Sequence, residues 1–154
     1  MAKISAGLLM YRVRGSELEF LLAHPGGPFW KQRDAGAWTI PKGEIHPGEE
    51  PLSAAKREFE EEIGFKPEGN FLELQPITQK GGKIVYAWAF EGECDTSCIH
   101  SNTFQMEWPP RSGKFTTCPE VDRACFFQMT EAKQKINPAQ VAFLEELQRS
   151  VGKT

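Results

Sequence analysis

Gly43-Glu-Ile-His-Pro-Gly48-Glu-Glu-Pro51-Leu-Ser-Ala-Ala-Lys-Arg57-Glu-Phe-Glu-Glu-Glu-Ile63-Gly64-Phe65 is the stretch on which the reading of this chain turns. Proline suits the first position of a helix and glycine the residue just past its end, so the spacing predicts a helix over 51–63. At about 100° per residue, Leu52, Ala55, Phe59 and Ile63 fall within an arc of about 80°, a stripe made for a core. Glu58, Glu61 and Glu62 share a neighbouring arc of about 100°, while Glu60 points elsewhere. Pro41-Lys-Gly43 and His46-Pro-Gly48 make the ten residues before the helix an irregular loop.

Around this segment, β-forming residues dominate 4–13 and 18–23, joined by Arg14-Gly-Ser-Glu17 as a hairpin of two central strands. His24-Pro-Gly-Gly-Pro28 breaks the pattern, and a loop carrying Phe29, Trp30, Lys31 and Arg33 leads to a short strand at 37–40. Further strands are expected at 71–75, 83–94, 103–108 and 123–129, with a turn-like break at 95–101 and a loop opening at Pro109. A last helix starts at Asn137 as cap with Pro138 inside it, and Val141, Leu144, Leu147 and Val151 form its stripe. Strands outnumber helices and are joined both by hairpins and by helical crossings, which predicts a mixed α/β/α sandwich in one domain, 1–154.

Three glutamates on one face are usually a solvated surface. Here, like charges at i,i+3 and i,i+4 oppose the helix by roughly 0.2–0.5 kcal/mol each. Anions in its C-terminal half add about 0.3–1 kcal/mol near the end. A bound divalent cation offsets both, and an all-carboxylate set favours Mg²⁺, with Mn²⁺ as the alternative, over Zn²⁺. Gly43 and Gly48 allow backbone to approach such an ion or a phosphate closely.

Gly43, Glu49, Arg57-Glu58, Phe59, Glu61-Glu62, Gly64 and Phe65 fit the pattern G-x5-E-x7-R-E-U-x-E-E-x-G-U, where U is a bulky apolar residue. In this the chain resembles the Nudix hydrolase family. The resemblance implies an α/β Nudix sandwich over essentially the whole chain and hydrolysis of a pyrophosphate bond in a nucleoside-diphosphate-linked substrate. It makes Glu58, Glu61 and Glu62 side-chain metal ligands with the Gly43 carbonyl beside them. Arg57 would brace Glu49, where otherwise an ordinary surface ion pair is worth under about 1 kcal/mol. Family members often add a carboxylate from a loop before the last strand as ligand or general base; Glu120 has that place, and Glu107 is its rival. Water would attack phosphorus while a carboxylate takes its proton.

Trp38-Thr-Ile-Pro-Lys-Gly43 is similar to the Trp-x-x-Pro-Lys-Gly run of dinucleoside polyphosphate hydrolases in that family. Against it, Gly81 and Gly82 occupy the region where many of them carry a tyrosine, so a nucleoside triphosphate, including a modified one, stays open as substrate. Lys42 is placed to meet a phosphate, as are Lys31, Arg33, Arg111 and Lys114. Phe29, Trp30, Trp38 and Tyr86 are candidates for stacking on a base, Trp38 and Tyr86 being equally candidates for the core. A non-catalytic nucleotide-binding module would be free to lose its carboxylates, and this chain keeps all three. RNA 5′-end processing is a third reading.

Composition bounds the rest. The chain has 154 residues and a formal net charge of −3, which argues against a broad basic surface for DNA or RNA and favours a small anionic partner. No apolar run approaches the roughly 18–20 residues of a membrane span, and the N-terminus lacks a cleavage signal, so the cytoplasm is the expected location. Oligomeric state is not legible. Cys94, Cys98, Cys118 and Cys125 are too sparse for a disulfide scaffold; Cys94, Cys98 and His100 would be zinc ligands only with a fourth that is not evident. His24, His46 and His100 read as surface or loop residues.

Overall fold

The computed structural model describes residues 3–151; Met1, Ala2 and 152–154, the ends of the expected 1–154 span, lie outside it. Nine strands and three α-helices follow one another: β1 (Ile4–Arg14), β2 (Glu17–Pro25), β3 (Lys42–Glu44), α1 (Pro51–Ile63), β4 (Leu72–Glu73), β5 (Ile77–Thr78), β6 (Ile84–Glu91), β7 (Thr103–Glu107), β8 (Phe115–Pro119), β9 (Val121–Gln128), α2 (Met129–Lys135) and α3 (Val141–Val151). The main sheet runs β4-β6-β1-β2-β9, with β3 added to β1 and β5 to β6. It is mixed, because β1 lies parallel to β6 while its other pairings are antiparallel.

Alternation along the strands sorts two cores, since successive side chains face opposite sides of a sheet. Leu8 and Met10 of β1, Leu21 and Ala23 of β2 and Phe90 of β6 pack with Ala54, Ala55, Phe59 and Ile63 of α1. Leu9, Phe20, Leu22, Val85 and Ala87 face the other way, onto Ala132, Phe143, Leu144 and Leu147 of α2 and α3. The expected α/β/α sandwich, its two central strands and the apolar stripe of α1 are therefore present.

The site depends on a fork. β1 and β2 pair only over Tyr11–Arg14 and Glu17–Phe20, then part. Into the gap runs the segment after residue 37. Thr39 exchanges backbone hydrogen bonds with Ala23 on one side, and Lys42–Glu44 pairs with Ser5–Gly7 on the other. Residues 42–44 are thus a strand, not the irregular loop their glycine and proline neighbours suggest; an available edge on β1 outweighs local propensity. Conversely, 37–40 forms only isolated bridges. Its backbone bonds are divided among Ala23, Lys135, Asn137 and the Gln140 side chain instead of one ladder.

Other expectations shift as well. Strand 115–119 pairs with β7 in a separate two-stranded sheet, and Met129 opens α2 instead of ending a strand. Two-residue β4 replaces the strand expected over 71–75. Asn137 caps a 3₁₀ turn, Pro138–Gln140, its side chain accepting from Ala139 N, and α3 follows. Among the described residues, no helix is long and apolar enough to cross a membrane.

Candidate metal centre

Helix α1 ends at Gly64, whose φ of 90° is left-handed and whose N–H reaches the Glu60 carbonyl. A side chain there would also collide with the backbone of His100, 2.8 Å away. That closeness has a purpose in hydrogen bonding, because the last carbonyls of a helix lack partners within it. His100 N donates to Ile63 O at 2.9 Å and Asn102 N to Glu61 O at 2.7 Å. Asn102 O in turn accepts from Glu120 N at 2.8 Å, and Ser101 Oγ accepts from Val121 N at 3.0 Å. Residues 100–102 therefore splint the end of α1 to the turn between β8 and β9, and so carry Glu120 to the glutamates of the helix. Nothing in the sequence reading singled out Ser101 or Asn102; the only signal was a break in the strand pattern.

One carboxylate oxygen from each of Glu58, Glu62 and Glu120 lies within 4.8 Å of the others, the sole such set of acidic, histidine or cysteine ligands among the described residues. Glu58 and Glu62 are only 8% and 7% exposed. Burial pushes the carboxyl of Glu62 well above the usual range, and repulsion from Glu58 and Glu120 adds to it. Glu58 and Glu120 are raised for the same first reason, burial. Gly43 faces Glu58 so closely that a Cβ would fall 2.1 Å from the carboxylate carbon. Its use is close approach, not a positive φ.

Glu61 stands beside this trio, its side chain 3.1 Å from Arg57 Nη1. Arg57 grips Glu49 through two bonds, Nε to Oε2 at 2.8 Å and Nη2 to Oε1 at 3.0 Å, and Nη2 also reaches the Glu44 carbonyl at 3.1 Å. The guanidinium, with the His46 N–H, holds the Glu49 carboxyl down to about 2. Glu107 is elsewhere, accepting from Arg111 N and Gly113 N in the loop after β7.

The candidate substrate contacts do not share one place. Lys42 is half-buried next to Lys83, and burial, then that second ammonium, lowers it to about 8. Lys83 was missed because it reads as an ordinary strand-end lysine. Tyr86 lines a cavity of about 790 Å³ with Ile4, Glu44, Ile45 and Pro51, near the start of α1. Trp30, Lys31 and Arg33 lie in the loop after β2, where Trp30 meets Phe29 edge to face at 5.0 Å. Trp38 is buried core, its Nε1 donating to Asp34 Oδ1 at 2.8 Å, so it offers no face for stacking. Arg111 and Lys114 are exposed. Cys94, Cys98 and His100 do not converge on a metal site.

His24 corrects the sequence reading outright. It is 0% exposed, with Nδ1 2.8 Å from Asp122 Oδ1 and Nε2 2.6 Å from the Arg33 carbonyl. β2 continues through the expected break to Pro25 because β9 offers it partners, and the strand's alternation then turns His24 inward.

Known proteins share the family and the fold of this chain. The NUDIX domain model matches residues 1–147. The chain belongs to the Nudix family. The asymmetrical bis(5′-nucleosyl)-tetraphosphatase of Rattus norvegicus is 33% identical over 103 aligned positions, 59% of this chain and 66% of that protein. The RNA pyrophosphohydrolase of Acinetobacter baylyi is 40% identical over 68, or 43% of this chain and 39% of its own length. This Nudix chain thus spans just under two thirds, or less, of these relatives. The crystal structure of a Caenorhabditis elegans Ap4A hydrolase binary complex superposes with a TM-score of 0.69 at 22% identity, covering 96% of this chain and 98% of that one, which shows the shared Nudix fold.

Proposed function

We propose that this chain hydrolyses a pyrophosphate bond of a nucleoside-linked polyphosphate with the help of a divalent cation, Mg²⁺ by preference. The observation that carries the reading is the convergence of Glu58, Glu62 and Glu120 from two distant segments. Two buried carboxylates held this close are unfavourable alone, and oxygen-only donors suit a hard cation, so the residues fit Mg²⁺ or Mn²⁺ and not Zn²⁺. When bound, the cation neutralises phosphate oxygens and acidifies the attacking water. Gly43 leaves room for its carbonyl to join the set. Arg57 and Glu49 fix the loop 43–49 against α1. Glu61 and Glu120 are the carboxylates available to take the proton from water, and Lys42 with Lys83 supplies positive charge for the polyphosphate.

A dinucleoside polyphosphate is the favoured substrate, supported by the Trp-x-x-Pro-Lys-Gly run and by the tetraphosphatase among the relatives. Nucleoside triphosphates, modified or not, are the first alternative, and 5′-triphosphorylated RNA is a second, supported by the RNA pyrophosphohydrolases. A panel of diadenosine polyphosphates, nucleoside triphosphates, ADP-ribose and triphosphorylated RNA oligonucleotides, with Mg²⁺ and with excess EDTA, tests the reading. Turnover that survives EDTA or Glu62→Gln undiminished sinks the mechanism; turnover of no panel member sinks the function.

A further inference from the structure

The hairpin β7–β8 lies apart from the main sheet and packs on the turn after β2. A Cβ on Gly26 would fall 2.0 Å from Pro119 O, and one on Gly27 would sit 3.6 Å from both Phe104 and Met106. The loop joining the two strands is held, not loose: Glu107 accepts from Arg111 N and Gly113 N, and Trp108 N donates to Lys114 O at 2.9 Å. Large hydrophobic residues are nonetheless left in water here, Trp108 at 37% and Phe115 at 65% exposure. Between hairpin and turn is a cavity of about 510 Å³ lined by Pro28, Lys31, Trp108, Thr117 and Asp122. Beside it, sharing Lys31, is a second of about 400 Å³ lined by Arg33, Asp34, Arg123 and Lys135. Asp34 is committed to Lys135 and to Trp38 Nε1, and Arg123 Nε stands 3.8 Å from Asp122 Oδ1, so among the described residues Lys31 and Arg33 have no carboxylate within 4.0 Å while Arg123 shares its charge with Asp122.

The geometry points to a nucleotide-binding cleft outside the glutamate cluster, with a base against Trp108 and its phosphate among Lys31, Arg33 and Arg123. An apolar, aromatic-walled space next to a cationic one is the shape of a nucleoside phosphate, and each cavity is within the size range of ligand pockets. Asp122, whose Oδ1 meets His24, has a second oxygen to accept from a base N–H. It stands two residues along the chain from Glu120, which ties the cleft in sequence to the metal centre and assigns it the part of the substrate beyond the scissile bond. In that respect the inference rests on the function proposed above.

Calorimetric titration of the full chain in excess EDTA tests it without calling on the metal centre. AMP is expected to bind; Trp108→Ala weakens AMP about tenfold or more and leaves inorganic triphosphate unaffected, while Trp108→Phe restores AMP binding. Arg123→Gln weakens AMP and triphosphate but not adenosine. Circular dichroism confirms that each variant folds, and turnover of diadenosine tetraphosphate with Mg²⁺ is measured alongside. AMP binding with these losses, but no turnover, keeps the cleft and removes the hydrolase. Turnover without AMP binding in EDTA, or AMP affinity unchanged within twofold in both Trp108→Ala and Arg123→Gln, overturns the cleft and keeps the hydrolase.

Discussion

Glu62→Gln should make the protein more stable in EDTA and less stable in Mg²⁺ than the natural sequence. At the 4.8 Å that bounds the trio, two full charges repel by about 3.5 kcal/mol at an effective dielectric of about 20. Glu62 faces Glu58 and Glu120, so its ionised form meets that repulsion twice, on top of its own desolvation. Proton uptake caps the penalty, since a carboxyl will be neutralised before it sustains the whole of it. The amide removes the charge at nearly equal volume, though its N–H groups must find acceptors. A net gain of about 1–3 kcal/mol is expected, or roughly 2–12 °C in Tm for a chain of this size. With Mg²⁺ at a thousand times its Kd, the natural protein gains about 4.1 kcal/mol from binding, and the variant, lacking a ligand, gains far less. The order of the two melting curves therefore reverses. Differential scanning calorimetry with EDTA and with Mg²⁺ reads this directly. A variant that melts below the natural protein in EDTA, or that shows the same Mg²⁺-induced rise, would refute the electrostatic account of the cluster.

The same groups set a pH dependence. Glu58, Glu62 and Glu120 are raised above 4.5 in the folded protein, so the stability linked to them is complete below about pH 4.5 and is lost as pH climbs through their raised values. Melting in EDTA should accordingly fall as pH rises above 4.5 and the decline should flatten in Glu62→Gln; a flat natural profile contradicts this. Gly43→Ala drives a methyl into Glu58, which should cost about 1–3 kcal/mol and weaken Mn²⁺ binding, followed by electron paramagnetic resonance, at least tenfold; unchanged Mn²⁺ affinity would count against Gly43 and Glu58 acting together. His24→Phe removes the two hydrogen bonds of a fully buried ring, to Asp122 Oδ1 and to the Arg33 carbonyl, each worth about 0.5–1.5 kcal/mol, and should lower Tm clearly, whereas a surface histidine would tolerate it.

Helix α1 was readable because every level agrees on it: proline at its start, glycine at its end, and a stripe of Ala55, Phe59 and Ile63 at helical spacing. Which glutamates come together was not readable from that helix. Periodicity puts Glu58, Glu61 and Glu62 on one face, but the third member of the close set is Glu120, delivered by backbone bonds from Asn102 that no side-chain pattern announces. β3 and His24 escaped for a related reason. Local signals at Pro41, Gly43 and Pro25 spell interruption, and only the parted β1–β2 edge and the neighbouring β9 turn those segments into strands. What a sequence hides is mostly the partner that a distant segment supplies.

Arg57 shows how such a partner is used. Its Nε and Nη2 serve Glu49 and the Glu44 carbonyl, while Nη1 serves Glu58 at 2.9 Å and Glu61 at 3.1 Å. One planar cation therefore fixes the loop with one edge and steadies two helix glutamates with the remaining nitrogen. Lysine carries the same charge but offers a point in place of a fork, so Arg57→Lys can keep one of these duties and must release the other. If bracing is what Arg57 contributes, that substitution should lower metal affinity or kcat about 10- to 100-fold with little change in Tm, and Glu49→Gln should reproduce part of it. A loss confined to stability, with kcat and Mg²⁺ dependence intact, would reduce Arg57 to an ordinary surface ion pair and leave the loop 43–49 to be held by β3 alone.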